Sequence, residues 1–121
     1  GMQQRVAIGR ALAQNSEILA MDEPFGALDY MTRSNLQEFL KRLNKNLHKT
    51  VLFVTHDVEE AIFLSDQILI LSKLPSVIIK KINVKDYLDQ KNKISRFSDN
   101  FIKLRSEIEN ILMTKVKTTQ V

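Results

Sequence analysis

The chain has 121 residues, of which 44% are hydrophobic, and it contains no cysteine. This length predicts one modest hydrophobic core rather than two. The absence of cysteine excludes disulfides and cysteine-ligated zinc and is typical of a reducing compartment. No apolar run approaches the roughly 20 residues that cross a bilayer, and no signal peptide opens the sequence, so we expect a membrane to matter only through a partner.

The net charge of +4 is unevenly distributed along the chain. Residues 1–72 carry 7 basic and 9 acidic side chains, whereas residues 73–121 carry 11 basic and 5 acidic ones. The lysines of the second part are scattered among Ile, Leu and Phe, and aromatic stacking platforms are lacking. This pattern favours a solvated face over a surface that binds nucleic acid or acidic lipid.

Periodicity predicts alternating helices and strands in the first 72 residues. Residues 2–14 have high helix propensity, and residues 30–47 carry an apolar stripe with helical spacing. Asp57 and Glu60 predict a capping box at the start of a helix over 58–64. Short apolar runs that are typical of buried strands lie at 18–22, 51–54 and 66–71. This order predicts an α/β fold with a parallel sheet that is covered on both faces.

The pattern weakens in the last third of the chain. Residues 76–84 predict an edge strand, because two adjacent lysines there suit an exposed edge. Ser98 is predicted to cap a last, amphipathic helix, with Phe97 and Ile102 as a hydrophobic staple.

The most informative motif for function lies in residues 18–29. An apolar run ends in two adjacent carboxylates, Asp22 and Glu23, and Pro24 then stops the strand. Open α/β sheets place their chemistry at the carboxyl ends of strands. Phosphoryl-transfer ATPases need one acid there to hold Mg²⁺ and a second group to orient the attacking water. Taken alone, the same two acids also fit a strand that ends in a charged turn.

His56 closes the next apolar strand, 33 positions after Glu23, which is about the length of one strand–helix–strand crossover. If these strands are neighbours, His56 lies at the same sheet edge as Asp22 and Glu23. An imidazole there can donate a hydrogen bond to a phosphate oxygen or hold a water. Considered alone, His56 is interpreted as a structural turn residue. Its predicted position beside Asp22 and Glu23 favours a functional role instead. His48, in a polar turn, is interpreted as structural.

Four motifs, in order, resemble those of the ATP-binding subunits of ABC transporters. They are Gly-Met-Gln-Gln-Arg and the helix after it (1–12, the end of the signature motif), Ile-Leu-Ala-Met-Asp-Glu (18–23, Walker B), Phe-Gly-Ala-Leu-Asp (25–29, D-loop) and Val-Thr-His-Asp (54–57, switch histidine). The resemblance implies a P-loop NTPase-like three-layer α/β fold with a mainly parallel sheet, of which only the C-terminal portion is present. It assigns residues 1–72 to that ATPase domain and residues 73–121 to a basic edge strand and helical tail.

The resemblance implies ATP and Mg²⁺ as cofactors and gives three residues a role in hydrolysis. Asp22 would hold Mg²⁺, usually through water. Glu23 would act as the general base or water-polarising carboxylate. His56 would contact the γ-phosphate and link it to the catalytic geometry.

The resemblance also implies contacts with other subunits. Gly1, at a helix start that favours anions, and Gln3 would bind the nucleotide held by the opposite subunit of a dimer. Asp29 would couple the two nucleotide sites. The implied partners are a second ATP-binding subunit and transmembrane permease subunits, with a solute-binding protein acting indirectly and no nucleic acid. The implied location is peripheral, on the cytoplasmic face of the cell membrane.

The family's phosphate-binding loop, Gly-x-x-x-x-Gly-Lys-Ser/Thr, is absent from these residues. The sequence is therefore interpreted as a fragment that, by itself, binds ATP poorly and does not turn it over. The D-loop and the helix after His56 resemble those of importers of the nitrate, sulfonate and taurine type. Two alternatives stay open: a non-catalytic remnant that dimerises or regulates, and a soluble ABC ATPase that acts on nucleic acid or ribosomes.

Overall fold

The computed structural model describes residues 2–14, 17–73, 75–87 and 98–116. Their helices are α1 (Met2–Ala13), α2 (Tyr30–Leu47), α3 (Val58–Leu64) and α4 (Asp99–Ile111). Their strands are β1 (Ile18–Asp22), β2 (Thr50–Val54), β3 (Gln67–Leu71) and β4 (Ile78–Asn83). The predicted helices and strands are confirmed, with ends that differ by two residues at most. None of the helices in these ranges has the length and apolarity that a membrane span requires.

Helix α2 illustrates how local sequence signals set an element. Leu36 and Leu40, one turn apart on the predicted apolar stripe, are both buried, whereas Leu47 at its end is 45% exposed. The helix ends where His48 adopts a left-handed conformation, with φ 53°, and donates its backbone N–H to the Asn44 carbonyl at 2.9 Å. His48 is therefore a helix cap, which confirms its structural interpretation.

The described residues divide into two compact units, which meet in sequence between His56 and Asp57. The length of the chain predicted a single core. The hydrophobic cluster of the described residues lies in the second unit, and the first unit in addition buries Ile8, Phe25, Leu36 and Leu40. The division at residue 72 into an ATPase-domain part and a tail stays a prediction, because it was made from sequence motifs and not from packing.

The first unit contains α1, α2 and a parallel pair of strands, β1 and β2. Helix α1 packs against α2. One face of the strand pair is open, because Ile18, Leu52 and Val54 are 65%, 56% and 49% exposed. The prediction that these strands are buried on both faces is therefore wrong for this unit, whose two helices leave that face uncovered.

The second unit is built around an antiparallel pair, β3 and β4. The parallel sheet predicted from the order of elements includes β1 and β2 but not β3. The short connection between β3 and β4 suits an antiparallel hairpin, because a parallel pair would need a long crossover between them. Ser72 closes this hairpin, since its backbone N–H donates to the Val77 carbonyl at 2.9 Å.

The core of the second unit combines both strands with α3 and α4. Its buried members are Ile62, Ile68, Ile70, Ile82, Val84, Phe101, Leu104 and Ile108. The edge-strand prediction for β4 is confirmed, and its two lysines are exposed. The adjoining 3₁₀ turn, Val84–Tyr87, is tied to α4 because the Tyr87 hydroxyl donates to Glu107 Oε2 at 2.6 Å. This hydrogen bond raises the pKa of Tyr87 above its ordinary value.

Both predicted helix caps of the second unit are confirmed. The Asp57 carboxylate accepts a hydrogen bond from the Glu60 backbone N–H at 3.2 Å, and Ser98 Oγ accepts one from the Phe101 N–H at 3.1 Å. Phe97, the other half of the predicted staple, lies outside the described residues, while Ile102 is 54% exposed.

Candidate functional site

The parallel pairing of β1 and β2 brings two chemistry-bearing strand ends to one edge. The register pairs Ile18 with Thr50 and Asp22 with Val54, so both carboxyl ends lie level. The ladder continues one residue further, because the Glu23 backbone N–H donates to the Val54 carbonyl at 2.8 Å. The spacing-based prediction that these strands are neighbours is confirmed.

Glu23 leaves the strand in a left-handed backbone conformation, with φ 44°. A residue other than glycine adopts this backbone conformation at a cost of about 1–3 kcal/mol, which the surrounding structure must offset. The residue also precedes a proline, for which sequence rules predict an extended backbone. Such conformations cluster at functional sites, and here the turn directs the Glu23 side chain towards the end of β2.

The Glu23 carboxylate meets the His56 imidazole, with 3.1 Å between Oε1 and Nε2. The Glu23 side chain is 42% exposed and the His56 side chain 91% exposed. A contact between two side chains this exposed adds little to stability, because water competes for both groups. Both groups are therefore open to a ligand, and the backbone around them, rather than their mutual attraction, sets their separation.

Asp22, the last residue of β1, is exposed at the same strand end. Among the described residues, no group of three or more His, Asp or Glu side chains is placed to hold a metal ion. One exposed carboxylate instead fits Mg²⁺, which keeps several waters and binds one or two carboxylates together with substrate phosphates.

The turn after β1 is anchored by Phe25, whose side chain is 0% exposed. Its ring lies 5.7 Å from that of Phe53 in β2, with 38° between the two planes. Gly26 closes the turn by donating its N–H to the Glu23 carbonyl at 3.2 Å. Arg33, on α2, donates to the Leu28 carbonyl at 3.1 Å and supports the end of the loop. The sequence analysis gave neither Phe25 nor Arg33 an individual role. For Phe25 a signal was present, because an aromatic residue between a proline and a glycine in a turn indicates a buried anchor.

Asp29 caps α2. Its carboxylate accepts a hydrogen bond from the Thr32 backbone N–H at 3.2 Å, and its carbonyl accepts one from the Arg33 N–H at 2.9 Å. Hydrogen bonds from Thr32, first from its side chain and then from its backbone N–H, lower the pKa of Asp29 below its ordinary value of 3.8. The structure thus gives Asp29 a local structural role, beside which its coupling role stays a prediction.

We expect Asp29→Ala to lower the Tm of the chain at pH 7 by a few degrees, because the cap of α2 is lost. Since the pKa of Asp29 is depressed on folding, its contribution is present above the unfolded-state pKa and is lost as the pH falls through the folded-state value. The difference in Tm should therefore shrink below pH 3.8. Asp29→Asn, which keeps a capping oxygen, is the matched control and should retain the Tm at pH 7. Equal losses for both variants would contradict the cap assignment.

The predicted residues of the signature segment are placed only in part. Gln3 lies exposed in the first turn of α1. Gly1 lies outside the described residues. Their predicted contact with nucleotide therefore stays a prediction.

Three relatives show what the chain is similar to. The taurine import ATP-binding protein of Rhizobium johnstonii is 44% identical over 93% of this chain and 44% of its own length. The aliphatic sulfonates import ATP-binding protein of Bacillus cereus is 47% identical over 89% of this chain and 41% of its own length. The choline transport ATP-binding protein of Bacillus subtilis is 59% identical over 59% of this chain and 19% of its own length. No protein-family model matches the chain.

The chain is therefore homologous, over most of its length, to the ATP-binding proteins of ABC transporters. It spans less than half of the length of these relatives. The part of the chain that aligns with these relatives contains both Glu23 and His56.

Proposed function

We propose that the chain forms the C-terminal part of an ATP-hydrolysing subunit that energises an ABC importer. The observation that carries this proposal is the 3.1 Å contact between Glu23 and His56 at the shared edge of β1 and β2. Homology to import ATP-binding proteins supports it. In its finer form, the proposal includes a P-loop NTPase-like three-layer fold for the whole domain.

The chemistry divides among three side chains. Glu23 accepts a proton from the water that attacks the terminal phosphate, as a positioned general base. His56 donates a hydrogen bond to an oxygen of that phosphate and so orients it towards the water held by Glu23. Asp22 holds Mg²⁺ through water, and the ion neutralises charge on the phosphates when it is bound.

The remaining proposed contacts involve other subunits. Gly1 and Gln3 bind the nucleotide of a second ATP-binding subunit, and Asp29 couples the two sites. Permease subunits are the membrane partners, a solute-binding protein acts through them, and the dimer lies peripherally on the cytoplasmic face of the membrane.

For the transported solute we propose the nitrate, sulfonate and taurine type. The relatives named for taurine and aliphatic sulfonates align with 93% and 89% of the chain, including residues beyond the shared motifs. The relative named for choline is more identical, at 59%, but aligns with only 59% of the chain. Extent of alignment, rather than identity within the ATPase motifs, favours the first group.

A hybrid protein tests the proposed function. Residues 1–121 replace the aligned part of the Rhizobium johnstonii taurine import ATP-binding protein, whose remaining part supplies the segment that this chain does not contain. We expect Mg²⁺-dependent ATP hydrolysis by the hybrid and none by the 121-residue chain alone. The same relative truncated at the junction is the control. A hybrid that folds and binds ATP without hydrolysing it would contradict the proposal and favour a non-catalytic remnant.

A further inference from the structure

Two aromatic rings contact each other close in sequence to the pair formed by Glu23 and His56. Phe25 follows Glu23 by two residues, and Phe53 precedes His56 by three. Their centroids are 5.7 Å apart, and the Phe25 side chain is fully buried. The rings therefore join the two segments that carry the acid and the imidazole.

The contact between Glu23 and His56 needs support from other residues, because it is too weak to fix the two side chains in place. The His56 side chain is 91% exposed, so solvent competes for its contact with Glu23. The φ of 44° at Glu23 also persists only while neighbouring groups restrain the turn. Phe25 is the one residue of the described turn 23–28 whose side chain is fully buried, since Pro24 and Leu28 are partly exposed and the others exposed.

We propose that Phe25, packed on Phe53, is a positioning residue that sets the placement of Glu23 relative to His56. This inference rests on the proposed function. A smaller side chain at position 25 leaves the ring contact incomplete, releases the turn from its left-handed conformation and moves the Glu23 carboxylate away from the imidazole. The chain still folds, because α1 and α2 keep their own buried contacts.

Amide hydrogen exchange in the 121-residue chain tests the placement without any activity. Phe25→Leu should speed exchange of the Glu23 amide, which bonds to the Val54 carbonyl, by about tenfold or more relative to the Leu40 amide in α2. It should also remove the nuclear Overhauser contact between the Glu23 side chain and the His56 ring. Phe53→Leu should act in the same way from the other strand.

Phe101→Leu is the matched control, because Phe101 is 2% exposed in the second unit. It should leave the ratio of Glu23 to Leu40 exchange unchanged. If Phe25→Leu and Phe53→Leu also leave this ratio and the Overhauser contact unchanged, the inference is overturned.

Kinetics of the hybrid test the consequence for the reaction. Phe25→Leu should lower kcat by about tenfold to a hundredfold, as a misplacement near 1 Å does, while the KM for ATP stays within about twofold. Phe101→Leu should leave kcat within about twofold. A KM that rises while kcat holds would overturn the inference. An inactive parent hybrid would instead count against the proposed function, and the exchange experiment would still decide the placement.

Discussion

Replacing Glu23 with glutamine lowers the kcat of the hybrid ATPase by about 10²–10⁴-fold, the range that a positioned general base contributes. Glutamine has nearly the same shape and still offers an oxygen to the His56 imidazole, but it cannot take a proton from water. Binding of ATP should be retained, because the carboxylate acts on the water rather than on the nucleotide. Steady-state phosphate release and equilibrium nucleotide binding measure the two effects separately.

The control for this variant is Glu17→Gln. Glu17 is an exposed acid just before β1, at the opposite end of the strand from Glu23. We expect its kcat to stay within about twofold of the parent, since surface changes away from the site have small effects. If Glu23→Gln hydrolyses ATP as fast as Glu17→Gln does, Glu23 is not the base.

The second large effect concerns stability. Leu104 is fully buried in the core of the second unit, so Leu104→Ala should lower its free energy of unfolding by about 2–5 kcal/mol through lost burial and a residual cavity. Tyr87 lies in this unit and Tyr30 in the first. Tyrosine fluorescence in a Tyr30→Phe background therefore reports unfolding of the second unit alone in denaturant.

Ile102→Ala is the matched control, because Ile102 lies on the same helix and is 54% exposed. Its free energy of unfolding should change by less than about 1 kcal/mol, because little apolar area is lost. Similar losses for the two variants would mean that α4 does not present its Leu104 face to the core.

Local signals in the sequence predicted most elements of the fold, because they act over a few residues. Asp57 and Ser98 set the starts of two helices through side-chain caps, and the apolar spacing of α2 matched its buried face. The sequence predicted a parallel neighbour for β3, and this prediction is wrong because β3 pairs antiparallel with β4. An apolar strand fits a parallel or an antiparallel neighbour, and the short hairpin loop, rather than the apolar pattern, decided between them.

At the candidate site, the sequence predicted which residues meet but not how they are held. The spacing of Glu23 and His56 required only neighbouring parallel strands, which the register provides. The left-handed backbone of Glu23 and the packing of Phe25 on Phe53 depend on contacts between segments nearly thirty residues apart. Sequence rules that act over a few residues do not predict such contacts. The backbone strain at Glu23 is offset by packing with a segment that is distant in sequence.

The most direct test of the central claim, that Glu23 and His56 act on one terminal phosphate, is a double-mutant cycle on kcat in the hybrid. The four proteins are the parent, Glu23→Gln, His56→Ala and the double variant. We predict that the double variant hydrolyses ATP about as slowly as the slower single variant, because removing either group disables the same step. If the two losses multiply instead, the side chains act independently and the claim is wrong.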